Sequence, residues 1–195
     1  MFTGMLDFEW RYHTHRWTFA LVALVVCGMA FVMVQTGYAA RVTHVNSPYT
    51  VMESFGLLSL WTLFSQTIMC VHGALRDDEH GMHELIQSRP VGRLRYLASR
   101  YLGIVMAGMA AMTLAAFVLM VAPMVLPIEA ERLGVTRPEA YVWALVTLML
   151  PDIVLISALL FSVAALTRNT LATYVGGMAI FALYTVVAML TDSPL

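Results

Sequence analysis

Arg76, Asp77, Glu79, Gly81, Glu84 and Pro90 gather opposed charges and two turn-forming residues into one short stretch of a largely apolar chain. Charges mixed in this way on a short amphipathic segment suit docking against a complementary soluble surface. Asp152 is a second point of chemistry, a carboxylate inside a long apolar run and next to Pro151. An ionised carboxylate at the bilayer centre costs about 2.5–3.5 kcal/mol even on mild insertion scales. Asp152 must therefore be neutral, paired or turned toward water. Ser59, Thr62, Gln66, Met69 and Gly73 recur every three or four residues, which sets them on one helical face. Such a stripe either lines a pathway or bonds helices to one another. The first reading makes Ser59, Thr62, Gln66, Pro151 and Asp152 candidates for a path or gate.

Other residues invite metal chemistry. Met106, Met109 and Met112 recur at three-residue spacing, a thioether set that suits Cu(I), although methionine also fills cores. His13, His15, His72, His80 and His83 raise haem or metal ligation. Transmembrane haem needs axial ligands facing each other within the bilayer, and only His72 falls at the end of an apolar run. His80 and His83 lack a third ligand, so solvated histidines at the interface are the simpler expectation and no metal site is assigned. The 11 basic residues other than histidine are all arginine. Without lysine the chain cannot cradle nucleotide phosphates through a G-x-x-x-x-G-K-[ST] loop.

The elements that carry these residues are set by composition. The chain has 195 residues, 60% hydrophobic and 12% charged, against roughly 25% charged in soluble domains. Several apolar runs reach the roughly 18–20 residues that cross hydrocarbon, and none alternates as a barrel strand would. The expectation is an all-α polytopic transmembrane bundle, a single domain over residues 1–195, with five spans. They are read as Trp17–Gln35, Val51–Leu75, Tyr101–Leu126, Tyr141–Thr167 and Leu171–Leu190, with span four disturbed at Pro151. Placing the N-terminus inside puts eight arginines on the inner side (11, 16, 76, 89, 93, 95, 100 and 168) and three outside (41, 132 and 137). That bias puts the charged island in the cytosol. The net charge of −1 argues against a nucleic-acid partner.

Within the island the order is informative. Leu75, Met82, Leu85 and Ile86 give a short helix one apolar side, while Asp77, Asp78, Glu79 and Glu84 project elsewhere. Ser88 can cap a second helix with Pro90 in its first turn. That helix carries Arg93, Arg95 and Arg100 into span three. The run Arg-Asp-Asp-Glu-x-Gly-x-x-Glu-Leu-x-x-Ser-Arg-Pro-Val, continuing to Arg100-Tyr101-Leu102-Gly103, resembles the loop between spans two and three of type-two ABC transporter permeases. Phe8-Glu9-x-Arg11-Tyr12 resembles that family's amphipathic lead, and Pro151 in span four followed by Ala-Ala-Leu-Thr-Arg (164–168) looks similar to that family too. Asn46-Ser47-Pro48-Tyr49 is closest to the subgroup whose longer chains are fused to a zinc aminopeptidase-like domain.

The resemblance implies a permease subunit of an ATP-driven transporter in the bacterial inner membrane, N-terminus cytoplasmic and not an enzyme by itself. ATP and Mg would be bound by a separate ATP-binding subunit, with no cofactor on this chain. The cytosolic coupling helix (Arg76, Asp77, Glu79, Gly81, Glu84, with Pro90) would dock on that subunit, and a second permease half would complete the path. The family half-transporter has six spans against five visible, so the chain either ends at Leu195 or is the N-terminal piece of a longer one. No H-E-x-x-H motif occurs, so no peptidase activity is expected of these residues. The competing expectations are a metal- or haem-handling membrane protein and a non-transporting scaffold.

Overall fold

The computed structural model describes residues 2–37, 44–76 and 92–190. Its helices are α1 (Phe2–Thr14), α2 (Trp17–Thr36), α3 (Pro48–Ala74), α4 (Arg93–Val125), α5 (Pro138–Thr167) and α6 (Thr170–Leu190). No strand occurs among the described residues. Helices α2 to α6 are each long and apolar enough to cross a membrane, so the chain is an all-α, multi-pass membrane bundle.

Local chemistry explains where the helices begin and end. The α3 helix starts three residues before the expected Val51, because Ser47 caps it by accepting from the Thr50 amide at 3.2 Å and Pro48 fills its first turn. The α2 helix stops at Gly37, whose φ of 60° lets its amide return to the Met33 and Val34 carbonyls. The basic helix feeds span three as expected: α4 runs unbroken from Arg93, so its basic first turns and its apolar span are one helix. A two-residue link joins α5 to α6, with Arg168 in the left-handed region at φ 49° and Asn169 Oδ1 accepting from the Leu171 amide at 2.9 Å.

Span four is disturbed, as expected, but the irregularity lies before the proline. Leu145–Met149 form a π turn within α5, closed by the Leu150 amide bonding to the Leu145 carbonyl. Pro151 has no amide to offer the preceding turn, which makes a wider turn there inexpensive.

The α3 helix is central. It packs against α2, α4, α5 and α6, and 61% of its spanning window is buried, against 11% for α6 at the edge. Phe55, Leu58, Ile104, Met112, Met149, Ile153 and Leu160 fill the middle. Leu24, Phe117, Leu155, Leu159, Leu171 and Met178 point outward. In lipid that outer face is solvated, so association rests on close packing and interhelical hydrogen bonds. Trp17, Tyr49 and Trp143 stand exposed near helix ends, where amphipathic rings meet headgroups.

Candidate functional site

Two polar clusters stand out. The first lies at the end of the bundle that carries α1. Glu9 and His13 sit one turn apart on α1 and face inward, at 3% and 2% exposure. The Arg76 guanidinium, just past the end of α3, donates to both Glu9 oxygens, Nη2 to Oε1 at 2.8 Å and Nη1 to Oε2 at 3.4 Å. From α4, Arg100 Nε comes within 3.9 Å of Glu9 Oε1, and its Nη1 donates to the Ala74 carbonyl at 3.2 Å. One carboxylate thus engages an arginine on either side of residues 77–91. Aromatic faces complete the cage. Arg76 lies 4.2 Å from the Tyr12 ring centre and 5.3 Å from Phe8, while Arg100 lies 4.8 Å from Tyr96.

Two glycines admit α1 this closely. A Cβ on Gly103 would fall 2.7 Å from Glu9 Cβ, and one on Gly73 would meet Ile104 Cδ1 at 2.7 Å and His13 Cε1 at 3.3 Å. The imidazole of His13 fits between these helices, and its Nε2 has no hydrogen-bond partner among the described residues. Burial, aided by the positive charge of Arg76, Arg16, His72 and Arg100, lowers its pKa to about 4. His13 is therefore a neutral, buried side chain, which corrects the expectation of a solvated interface histidine. His15, two residues on, is exposed. The signal that could have revealed this pair was the four-residue spacing of Glu9 and His13, interleaved with Phe8 and Tyr12 at the same spacing.

The second cluster lies inside the membrane, between α3 and α5. Thr62 Oγ1 is 2.7 Å from Asp152 Oδ2 and 2.5 Å from the Ser59 carbonyl of its own helix. One turn along, Ser157 Oγ donates to Gln66 Oε1 at 3.0 Å, and Cys70 Sγ lies 3.8 Å from the Ser157 carbonyl. Gly108 of α4 lies so close to the Gln66 amide that a Cβ there would collide with it. Tyr101 Oη ties α4 to α5 by donating to the Val154 carbonyl at 2.9 Å. The expected stripe thus reaches its partners at Thr62 and Gln66, with Met69 and Gly73 buried on the same helix. Ser59 stays half-buried and donates to Gly56 of its own helix at 2.7 Å. Pro151 is exposed beside the half-buried Asp152. By helix rise, Thr62 and Arg76 stand about 21 Å apart along α3.

The remaining candidates separate. Asp77, Glu79, Gly81, Glu84 and Pro90, together with His80 and His83, lie outside the described residues. Met106 is exposed and Met112 fully buried, so the three thioethers do not converge. Among the described residues no three His, Cys, Asp or Glu side chains group so as to hold a metal ion. At the far end of the bundle Asn46 is buried and joins two loops, its Nδ2 donating to the Gly134 carbonyl at 2.6 Å and its Oδ1 accepting from the Gly134 amide at 2.7 Å. Compared with known proteins, the chain matches no family model and no curated protein.

Proposed function

We propose that this chain is the membrane-spanning permease subunit of an ATP-driven ABC transporter, seated in a bacterial inner membrane with its N-terminus in the cytosol. ATP and Mg would be held by a separate subunit, since a chain without lysine lacks the cation of a phosphate-binding loop. Residues 77–91 are read as the docking segment for that subunit, with Asp77, Glu79 and Glu84 meeting complementary charge and Gly81 and Pro90 shaping its turns. A second permease half would complete the path, which is read along the α3–α5 seam at Ser59, Thr62, Gln66 and Asp152.

The observation that supports this reading best is the engagement of Glu9 with both Arg76 and Arg100. These arginines flank the docking segment, one at the end of α3 and the other in the third turn of α4. Tied through one buried carboxylate, α1, α3 and α4 move as a block. A push delivered to residues 77–91 then reaches two membrane helices together, as a lever requires. Arg76 acts in this scheme from within the chain, anchoring the root of the segment.

Charge reversal tests the reading. Asp77→Arg combined with Glu84→Arg is expected to abolish stimulation of ATP hydrolysis in the complex purified from its native membrane, while the variant chain inserts normally. Full coupling in that variant would overturn the proposal.

A further inference from the structure

Next to the clasp that Asn46 makes with Gly134, the far end of the bundle holds a cavity of about 10 Å³ between α2, α3, α4 and α5. Met33, Val51 and Leu119 give it apolar walls. Val45, whose amide donates to the Arg132 carbonyl at 3.0 Å, lines it from the loop side. Three residues with hydroxyl groups share the same space: Thr50 and Ser54, one turn apart on α3, and Tyr141 in the first turn of α5. All three are buried, at 4–5% exposure. The Tyr141 hydroxyl makes no hydrogen bond to any described residue. A buried phenol normally has a partner, because a desolvated O–H left alone costs free energy.

The two α3 hydroxyls already give their hydrogens to carbonyls, Ser54 Oγ to Thr50 at 2.8 Å and Thr50 Oγ1 to His44 at 2.9 Å. Their oxygens are thus acceptors on one wall of the cavity, and Tyr141 brings a donor to another. The space matches one water molecule, which needs roughly 10–15 Å³ and two to four polar partners. An ion does not suit it, since no charged side chain lines the cavity, and a larger ligand does not fit. We infer that this cavity is a binding site for a single water molecule, which accepts from the Tyr141 hydroxyl and donates to the Thr50 and Ser54 oxygens, bridging α5 to α3. A bridging water holds nearly as well as a direct bond. The two helices are then fastened by side chains at Thr62 and Gln66 and by water at the far end.

This inference stands apart from the identity of any partner subunit. Radiolytic footprinting tests it, because X-rays split a bound water into a hydroxyl radical that oxidises the side chain beside it. The full chain in lipid nanodiscs is irradiated and its peptides are followed by mass spectrometry, with the exposed Tyr49 and the fully buried Phe55 as limits. Corrected for intrinsic reactivity, Tyr141 is expected to be oxidised at the rate of Tyr49; a rate as low as that of Phe55 would overturn the inference. Ser54→Val puts a methyl in the water's place, and the Tyr141 rate is then expected to drop to that of Phe55. An unchanged rate in that variant would mean that radicals arrive from bulk water, and would overturn the assignment as well. If Ser54→Val does not insert, Ser54→Ala, which removes one acceptor without adding bulk, takes its place: a fall in the Tyr141 rate supports the bridge and an unchanged rate overturns it.

Discussion

The His13 imidazole lies where an ionised ring would be costly, buried among Arg76, Arg16, His72 and Arg100 with Glu9 one turn away. Its pKa of about 4 lies below the ordinary 6.5, so between those values the unfolded chain binds more protons than the folded one. The stabilisation is complete above about pH 6.5 and is lost as pH falls toward 4. The size follows from the shift, roughly 3 kcal/mol at full loss. Thermal unfolding in detergent from pH 7.5 to 4.5 should therefore show a steeper fall in Tm for wild type than for His13→Gln, and parallel curves would remove His13 from the buried cluster. Little of this was legible beforehand. Charge in a polar lead segment usually means solvation, and only the docking of α1 over Gly73 and Gly103 turns Glu9 and His13 inward. The Thr62 and Asp152 pair was half legible: the helical face of Thr62 follows from spacing, and the cost of burying Asp152 demands a partner, but the match between them depends on how α3 and α5 lie side by side.

Among the helices, α1 is held by shape as much as by charge. Gly103→Ala would drive a methyl against Glu9 Cβ, a main-chain-proximal atom that cannot swing aside as a long side-chain tip can. The expected cost is about 1–3 kcal/mol, the usual penalty for overpacking. It should appear as faster proteolysis of the α1–α2 connection, with α2 to α6 still inserted; unchanged cleavage would mean that α1 does not rest on α4. The five spans themselves were readable from length and apolarity, because hydrocarbon thickness sets both. Their ends were less so. The cap at Ser47 reflects local hydrogen bonding, to which hydropathy is blind, whereas the run of α4 from Arg93 into its span was legible in the order of the basic residues. Pro151 announced a disturbance in α5, and the π turn falls on its N-terminal side because that is where the missing amide is felt.

Taken whole, the molecule has two polar regions about 21 Å apart on one central helix, a charge cage at one end of α3 and a hydroxyl–carboxyl seam within its span. On the proposed reading, a rigid α3 would carry a displacement at Arg76 to Thr62. The outer surface of the described spans is predominantly apolar, as a bilayer requires, and Glu9, Arg76 and Arg100 gather charge where α3 ends and α4 begins. The claim on which all of this turns is that the short segment joining α3 to α4 receives force from a nucleotide-driven partner. A photo-crosslinking amino acid at Gly81, activated in native membranes and followed by mass spectrometry of the adduct, addresses it directly. An adduct with an ATP-binding cassette protein, changed in yield by ATP, is the outcome expected; adducts with lipid or non-ATPase proteins alone, or reaction of this position only from the exterior, would contradict it.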